Sequence, residues 1–143
     1  MRKVIVIGSG GAGKSTFAVR LGERLGLPVI HQDALYWRPS WVETPPDEWK
    51  ATLATLVQRD AWIMDGNFGG TLDLRIAASD TVILLDLPRT VCLWRALKRA
   101  VRYLGRTRPD MAEGCNEKID LQFLRWIWDY PQELAAARIA AHI

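Results

Sequence analysis

A glycine-rich segment near the start of the chain carries the residues with the clearest chemistry. Residues 8–15 read Gly-Ser-Gly-Gly-Ala-Gly-Lys-Ser, which matches the pattern G-x-x-x-x-G-K-[ST] in full. Glycines let backbone N–H groups turn toward a phosphate chain, and the N-terminus of a following helix adds a favourable dipole. In this pattern the Lys14 ammonium reaches the β- and γ-phosphates, and the Ser15 hydroxyl ligates Mg²⁺. The motif therefore predicts binding of a nucleoside triphosphate.

The residues on either side favour this interpretation over a plain glycine-rich turn. The apolar run 4–7 precedes the motif, as a buried strand would, and a helical pattern begins at Lys14. A phosphate-binding loop needs this order of strand, loop and helix.

Three aspartates follow the later predicted strands, at the edge where ligands of open α/β sheets bind. Asp65 is our candidate for the Mg²⁺ side, because Gly66 after it leaves room for a metal and its waters. Asp33 is the candidate for the acceptor side, where it could accept or orient the proton of a substrate hydroxyl. A turn or cap role remains the alternative for both. Asp86 precedes Leu87-Pro88 and is better explained as a helix cap.

A basic stretch between residues 89 and 108 contains no acid. Its members are Arg89, Arg95, Lys98, Arg99, Arg102, Arg106 and Arg108. Arg95 and Arg99 share a helical face that should begin beside the first strand, so they are predicted to face the triphosphate. Arg106 and Arg108 fall in a loop at about 105–118, which could close as a lid and stabilise charge on the transferred phosphoryl. A solvated basic face is the alternative.

Length and composition limit the class of protein. At 143 residues with a net charge of +3, residues 1–143 are expected to form one domain. No apolar run approaches the length of a membrane span. Two cysteines, Cys92 and Cys115, lack zinc-site spacing and are too few for a disulfide framework, so a reducing, cytoplasmic location is expected.

Short apolar runs alternate with amphipathic segments, which is typical of βαβ units and a parallel sheet. Four strands are predicted, at 3–7, 29–31, 62–64 and 81–87, and residues 39–46 are predicted as a loop. Helices are predicted from residue 14, after Pro46, at about 71–78, from Pro88 and from about 119, with Pro131 ending or kinking the last. An alanine-rich helical tail follows.

The apolar periodicity predicts which helix faces are buried. The first helix should bury Phe17, Leu21 and Leu25, and the helix after Pro46 should bury Trp49, Leu53, Leu56 and Val57. The helix from Pro88 should bury Val91, Trp94, Leu97, Val101 and Leu104. Of the seven tryptophans, Trp37 and Trp41 are candidates to stack on a planar substrate group, and the other five are expected in the core. His31 and His142 have no evident companions in the sequence.

The motifs together resemble the nucleoside-monophosphate-kinase-like branch of P-loop kinases. More narrowly, the chain is similar to the small proteins called DNA topology modulation proteins, which are related to adenylate kinase. The resemblance rests on the glycine-rich loop, on His-Gln-Asp-Ala-Leu-Tyr-Trp-Arg-Pro at 31–39, on Trp-Ile-Met-Asp-Gly-Asn-Phe at 62–68, and on Leu-Asp-Leu-Pro-Arg at 85–89 with the helix after it. Segments 108–115 and 123–128 add to it.

This resemblance implies an α/β fold, the three-layer P-loop sandwich, with ATP and Mg²⁺ as cofactors. It implies that the phosphates contact Gly8, Ser9, Gly10, Gly11, Ala12, Gly13, Lys14, Ser15 and Thr16. It places Arg95 near the adenine and Arg99 near the phosphates, with Asp65 on the metal side and Asp33 on the acceptor side. The family fold also has a fifth strand, which no segment after the last helix resembles.

One departure bears on the acceptor. Adenylate kinases follow this Asp-Gly with an aromatic residue, a proline and an arginine that grips the acceptor nucleotide. Here Asn67-Phe68-Gly69-Gly70 stands instead, and the first arginine is Arg75. AMP is therefore not the expected acceptor.

The leading hypothesis is a small kinase that moves the γ-phosphoryl of Mg·ATP to a nucleotide-, nucleoside- or metabolite-like acceptor. Lys14, Asp33, Arg99 and Arg106 are the predicted catalytic residues, and Ser15 with Asp65 the predicted metal residues. The rival is a nucleotide-dependent regulator that acts on DNA or a protein partner, supported by the basic stretch and the family name. A GTPase is disfavoured, because the segment from Asn116 to Asp120 lacks Asn-Lys-x-Asp spacing.

Overall fold

Short apolar segments form the strands of a parallel sheet. The computed structural model describes residues 1–142, apart from the side chains of Gln132 and Leu134. Within that range the strands are β1 (Lys3–Gly8), β2 (Val29–His31), β3 (Trp37–Arg38), β4 (Val42–Glu43), β5 (Trp62–Asp65) and β6 (Thr81–Leu85). The main sheet has the order β2-β5-β1-β6 with every pair parallel. The predicted four-stranded parallel sheet is confirmed.

Helices pack on both faces of this sheet. They are α1 (Lys14–Leu25), α2 (Gln32–Tyr36), α3 (Pro46–Leu56), α4 (Leu72–Ala78), α5 (Arg89–Arg102), α6 (Leu121–Trp128) and α7 (Gln132–Ala140). Alternate side chains of β1 point to opposite faces. Ile5 and Ile7 pack in one cluster with Leu53 of α3, and Val4 and Val6 in another with α1. The result is the predicted three-layer α/β/α architecture.

Strand register brings the chemistry-bearing residues to one edge. In β2 and β5 the partners are His31 and Asp65, and Asp65 in turn lies opposite Val6 of β1. All these strands are parallel, so their carboxyl ends meet beside the loop that follows Gly8. The loop therefore lies next to the segments after β2 and β5.

The buried face of α3 is the one predicted, since Trp49, Leu53, Leu56 and Val57 are all buried. The predicted face of α1 is wrong in part. Leu21 packs against the core, but Phe17 and Leu25 are exposed, and the buried positions are Ala18 and Gly22. A Cβ on Gly22 would lie 2.6 Å from the Val29 side chain, so this helix approaches the sheet too closely for large residues.

The predicted core stripe of α5 is wrong. Its large members are exposed, and Trp94 has 65% of its surface accessible. The buried face consists instead of Cys92, Ala96 and Ala100. A Cβ on Gly11 would lie 2.1 Å from the carbonyl oxygen of Cys92 and 3.2 Å from the backbone nitrogen of Ala96. Only small side chains fit on a helix that touches the glycine-rich loop at this distance.

The tryptophans divide in a way that the sequence does not reveal. Trp49 and Trp62 are buried as predicted. Trp94, Trp126 and Trp128 are exposed, so their predicted place in the core is wrong. They lie on α5 and α6, whose inward faces use smaller residues such as Ala96 and the fully buried Ile127.

Residues 37–43 form a short hairpin, although most of this segment was predicted as loop. Trp37 pairs with Glu43 and Arg38 with Val42 in an antiparallel arrangement. The turn between them places Ser40 and Trp41 at φ values of 63° and 59°, which glycine usually occupies. With no glycine at these positions, the sequence carries none of the usual hairpin signals.

Other boundaries follow the sequence signals. Pro131 separates α6 from α7, as predicted, because its ring cannot continue a helix. A 3₁₀ turn over Gly69–Thr71 precedes α4. Among residues 1–142, the helices are all too short or too polar to span a lipid bilayer.

The close contact of Gly11 with α5 gives the first prediction. Gly11 and Gly26 both have left-handed backbones, at φ 76° and 66°, but a Cβ on Gly26 would meet nothing within 4 Å. Gly26→Ala should therefore lower the free energy of unfolding by about 1–2 kcal/mol, the cost of the backbone conformation alone. Gly11→Ala should lose about 1–3 kcal/mol more through overpacking. Urea denaturation measures both; equal losses would contradict the contact.

Candidate active site

The glycine-rich loop forms a tight cradle at the N-terminus of α1. Gly11 and Gly13 have φ values of 76° and 87°, and the amide of Ala12 donates to the carbonyl of Ser9 at 3.2 Å. A Cβ on Gly10 would lie 2.8 Å from the Phe123 ring of α6. The loop is therefore held between α5 and α6, with its amides and the helix N-terminus available to an anion.

Lys14 projects into the cleft above this cradle. Its ammonium donates to the Ser9 carbonyl at 2.9 Å. Burial lowers the pKa of Lys14, and the nearby carboxylates of Asp33 and Asp65 partly offset that effect. A desolvated cation next to a helix N-terminus is suited to binding phosphate oxygens.

The cleft has a volume of about 1740 Å³ and collects residues from distant parts of the chain. Most predicted site residues line it, together with charged residues of the 105–118 segment. The charged and hydroxyl-bearing residues near the loop are Lys14, Ser15, Thr16, Asp33, Arg95, Arg99, Arg108 and Asp110. Tertiary structure thus brings cations, carboxylates and the loop to a single site.

Asp33 lies in this cleft at the start of α2. Burial raises the pKa of its carboxyl, and Asp65 acts in the same direction, whereas Lys14 and Arg108 oppose the shift. A carboxylate with a raised pKa in a cleft, close to Lys14, has the properties of a general base.

Asp65 is almost fully buried and pairs with a histidine. Its Oδ2 lies 2.6 Å from Nδ1 of His31, and its carbonyl accepts a hydrogen bond from Gln32 at 3.1 Å. The hydrogen bond to Asp65 raises the pKa of His31. His31 therefore has a companion that the sequence did not reveal, because β2 and β5 become neighbours only in the folded sheet. Asp65 does not itself line the cleft, whereas His31 does.

Side-chain oxygens of the kind that ligate divalent cations lie near Ser15. Ser15, Asp110 and Asp33 line the same cleft, and the Ser15 side chain lies close enough to Asp110 to lower the pKa of that carboxyl. Burial acts to raise the pKa of Asp110, but Arg108 and Ser15 hold that pKa below its usual value. Hydroxyl and carboxylate oxygens suit Mg²⁺, which keeps several of its waters. Over residues 1–142 no group of three or more His, Cys, Asp and Glu side chains forms an all-protein metal site.

The structure separates the predicted arginines. A Cβ on Gly13 would lie 3.7 Å from a guanidinium nitrogen of Arg95, so Arg95 stands beside the loop. Burial, reinforced by Arg108, lowers the pKa of Arg99, which lies deeper in the cleft. Arg106 is exposed and is not among the residues that line the cleft. Of the two arginines in the 105–118 segment, Arg108 is the one that lines the cleft.

Arg108 is buried and held by acids of its own segment. Its Nε lies 2.7 Å from Glu117, and a guanidinium nitrogen lies 3.6 Å from Asp110. Arg108 and Arg106 are equally basic in the sequence, and only the folded path of the loop shows which one turns inward. Asp110 is a site residue that we did not predict from the sequence.

The 105–118 segment rests on the hairpin across the cleft. Ser40 donates from its amide to Gly114 at 3.0 Å, and the Trp41 indole donates to the Asn116 carbonyl at 3.0 Å. The thiol of Cys115 donates to the Arg38 carbonyl at 3.1 Å. The segment thus covers the site from the β6 side and meets the hairpin that follows β2.

Comparisons with known proteins match the fold alone. No protein-family model matches the chain, and no curated protein matches it by sequence. A shikimate kinase from Acinetobacter baumannii, solved with shikimate, has a TM-score of 0.61 at 19% identity, over 97% of this chain and 80% of that one. A gluconokinase from Sinorhizobium meliloti has 0.57 at 17%, over 99% and 90%. A shikimate kinase from Aquifex aeolicus has 0.54 at 16%, over 97% and 94%.

These solved structures show that the chain has the fold of P-loop kinases, as the sequence motifs predicted. At 16–19% identity they identify a fold and not a substrate.

The raised pKa of Asp33 predicts a pH-dependent effect on stability. The folded protein releases this proton at a higher pH than the unfolded chain, so stability falls as pH rises from the usual aspartate range through the raised pKa. Asp33→Asn should therefore increase the free energy of unfolding at pH 7 relative to wild type, and more than it does at pH 3.5. Urea denaturation at both pH values tests this, with Asp60→Asn, exposed and outside the cleft, as the control. A loss of stability at pH 7 would contradict it.

Proposed function

We propose that this protein is a small-molecule kinase that transfers the γ-phosphoryl of Mg·ATP to a hydroxyl of its acceptor. The observation that carries the proposal is the convergence of Lys14, Asp33 and Arg99 at a phosphate-binding loop inside one cleft. The loop can hold a triphosphate, Asp33 can receive a hydroxyl proton, and Arg99 can offset developing charge. Phosphoryl transfer needs positioning and charge stabilisation of this kind.

The nucleotide would occupy the side of the cleft formed by the loop and α5. The loop amides and Lys14 would hold the β- and γ-phosphates, and Arg95 would lie toward the adenine. Mg²⁺ neutralises charge on the phosphate oxygens when bound. Ser15 would ligate it, and Asp65 would hold it directly or through water, as predicted from the sequence. Asp110 would be a further oxygen donor near Ser15.

The acceptor would occupy the opposite side, beside Asp33. As its oxygen attacks the γ-phosphorus, its proton passes to the Asp33 carboxylate, and Arg99 and Arg108 stabilise the charge on the transferred group. We propose that residues 105–118 act as a lid within a single domain of residues 1–143. Both Arg106 and Arg108 were predicted from the sequence as charge-stabilising residues of the lid. In this proposal Arg108 alone has that role.

The rival hypothesis of a regulator that acts on DNA or a protein partner rested on the basic stretch and on the name of the family that the chain resembles. In the fold, Arg95, Lys98, Arg99, Arg102 and Arg108 all line the nucleotide cleft, and the Arg89 guanidinium lies over the Trp128 ring at 4.9 Å. A bound triphosphate would account for this positive charge. Both cysteines are free and buried, which suits the reducing cytoplasm that we propose as the location.

The proposal predicts acceptor-dependent turnover that requires Lys14. Lys14→Ala should weaken Mg·ATP binding at least about 100-fold, or about 2.8 kcal/mol, because a desolvated charge partner of the phosphates is lost. Calorimetry with a non-hydrolysable ATP analogue measures the binding, and ADP release across nucleosides, nucleoside monophosphates and hydroxylated metabolites measures the transfer. Lys50→Ala, on the outside of α3, is the control. If Lys14→Ala retained acceptor-dependent ADP release, the kinase proposal would be wrong.

A further inference from the structure

We propose that the acceptor is an uncharged or amine-bearing hydroxyl compound of the sugar or nucleoside type, and not a carboxylate or a phosphate ester. This inference rests on the proposed function and names the substrate class of the same site. It follows from the side chains on the acceptor wall of the cleft, which comprises the hairpin after α2 and the segment after β5.

The hairpin presents aromatic surface and a carboxylate together. Trp37 and Glu43 are direct partners across the β3–β4 pair, so their side chains share one face, and both line the cleft. The ring centroids of Trp37 and Trp41 are 5.5 Å apart in an edge-to-face arrangement. The hydrogen bond from the Trp41 indole to Asn116 fixes this wall against the lid. Indole faces pack against apolar sugar or base faces and attract ammonium groups.

Two arginines on the acceptor side of the cleft are already hydrogen-bonded to other residues of the protein. Arg75 is fully buried and donates to the carbonyls of Gly66, Asn67 and Phe68. A second arginine, Arg138, lines the cleft but donates to the Gly69 carbonyl and to Asp73, at 3.0 and 3.1 Å. A carboxylate or phosphate on the acceptor would have to displace these bonds, and burying an unpaired anion is costly.

On the acceptor side the basic side chains that line the cleft are paired with acids, His31 with Asp65 and Arg138 with Asp73. Asp33 and Glu43 both line this side, while Lys14, Arg99 and Arg108 gather at the phosphate-binding loop. An anionic acceptor would be repelled by these two carboxylates, and the cations near Asp33, namely Lys14 and Arg108, are needed by the triphosphate. Hydroxyl or ammonium groups could instead donate hydrogen bonds to the same carboxylates.

The proposed reaction involves the acceptor hydroxyl, the γ-phosphoryl of ATP and the Asp33 carboxylate. An acceptor hydroxyl oxygen forms the new bond to the γ-phosphorus, and the bond from that phosphorus to the β–γ bridging oxygen breaks, so ADP leaves with that electron pair. The hydroxyl proton passes to the Asp33 carboxylate. A neutral acceptor thereby becomes a phosphate ester, whose new charge favours its departure from a wall that carries carboxylates.

Matched pairs of acceptors that differ by one anionic group test the inference. The probes are glucitol against gluconate, adenosine against AMP, and methyl shikimate against shikimate, with glucosamine as the amine-bearing compound. ADP release is measured at saturating Mg·ATP. We expect at least one neutral or amine-bearing probe to be turned over with a kcat/KM at least tenfold above that of its anionic partner or analogue. Glu43→Lys should reduce that ratio at least fivefold.

The control for Glu43→Lys is Asp60→Lys, which makes the same charge change at an exposed site outside the cleft and should leave the ratio unaltered. A preference for the anionic member, equal turnover of both members, or a ratio that Glu43→Lys does not change would overturn the inference and leave the kinase proposal standing. Mg·ATP binding without ADP release for any probe would overturn the kinase proposal, and the substrate class with it.

Discussion

The contact between Gly11 and α5 determines how the side of the cleft that carries the glycine-rich loop is built. A loop backbone that nearly touches the Cys92 carbonyl admits only small residues on the facing side of the helix, hence Cys92, Ala96 and Ala100. With that face against the loop, Arg95 and Arg99 are carried to the cleft wall, and the large apolar residues are turned outward. One steric constraint therefore sets both the packing of the helix and the position of its cations.

Burial in the cleft disfavours the charged forms of Lys14 and Asp33. Burial lowers the pKa of Lys14 and raises that of Asp33, although each partly compensates the other. Such opposed shifts reduce folding stability and are typical of sites that bind or move protons and phosphates. The His31–Asp65 pair lies at the ends of β2 and β5, and its hydrogen bond joins these two strands at the edge of the sheet where the cleft opens.

The hairpin and the 105–118 segment connect the two halves of the cleft. Hydrogen bonds from Ser40, Trp41 and Cys115 join them, and the same short segment that carries these contacts also carries Arg108 and Asp110. A molecule seated on the Trp37 and Trp41 surface would thus lie against the element that places charge at the phosphates. Under the proposed function, this arrangement would couple acceptor binding to the placement of charge at the phosphates.

The place of the 8–15 motif between a strand and a helix, the alternation of strands and helices and the apolar face of α3 are local patterns, and each was predicted correctly from the sequence. The buried face of α5 and the exposure of Trp94 were not predicted correctly, because the hydrophobicity of a residue does not show how closely two backbones approach. The pairing of His31 with Asp65 depends on which strands become neighbours, and the inward turn of Arg108 rather than Arg106 depends on the path of a loop. The residues of the phosphate-binding motif are contiguous in the sequence and can be found there, whereas the proposed acceptor wall forms only when β2, β5 and the 105–118 segment come together in the fold.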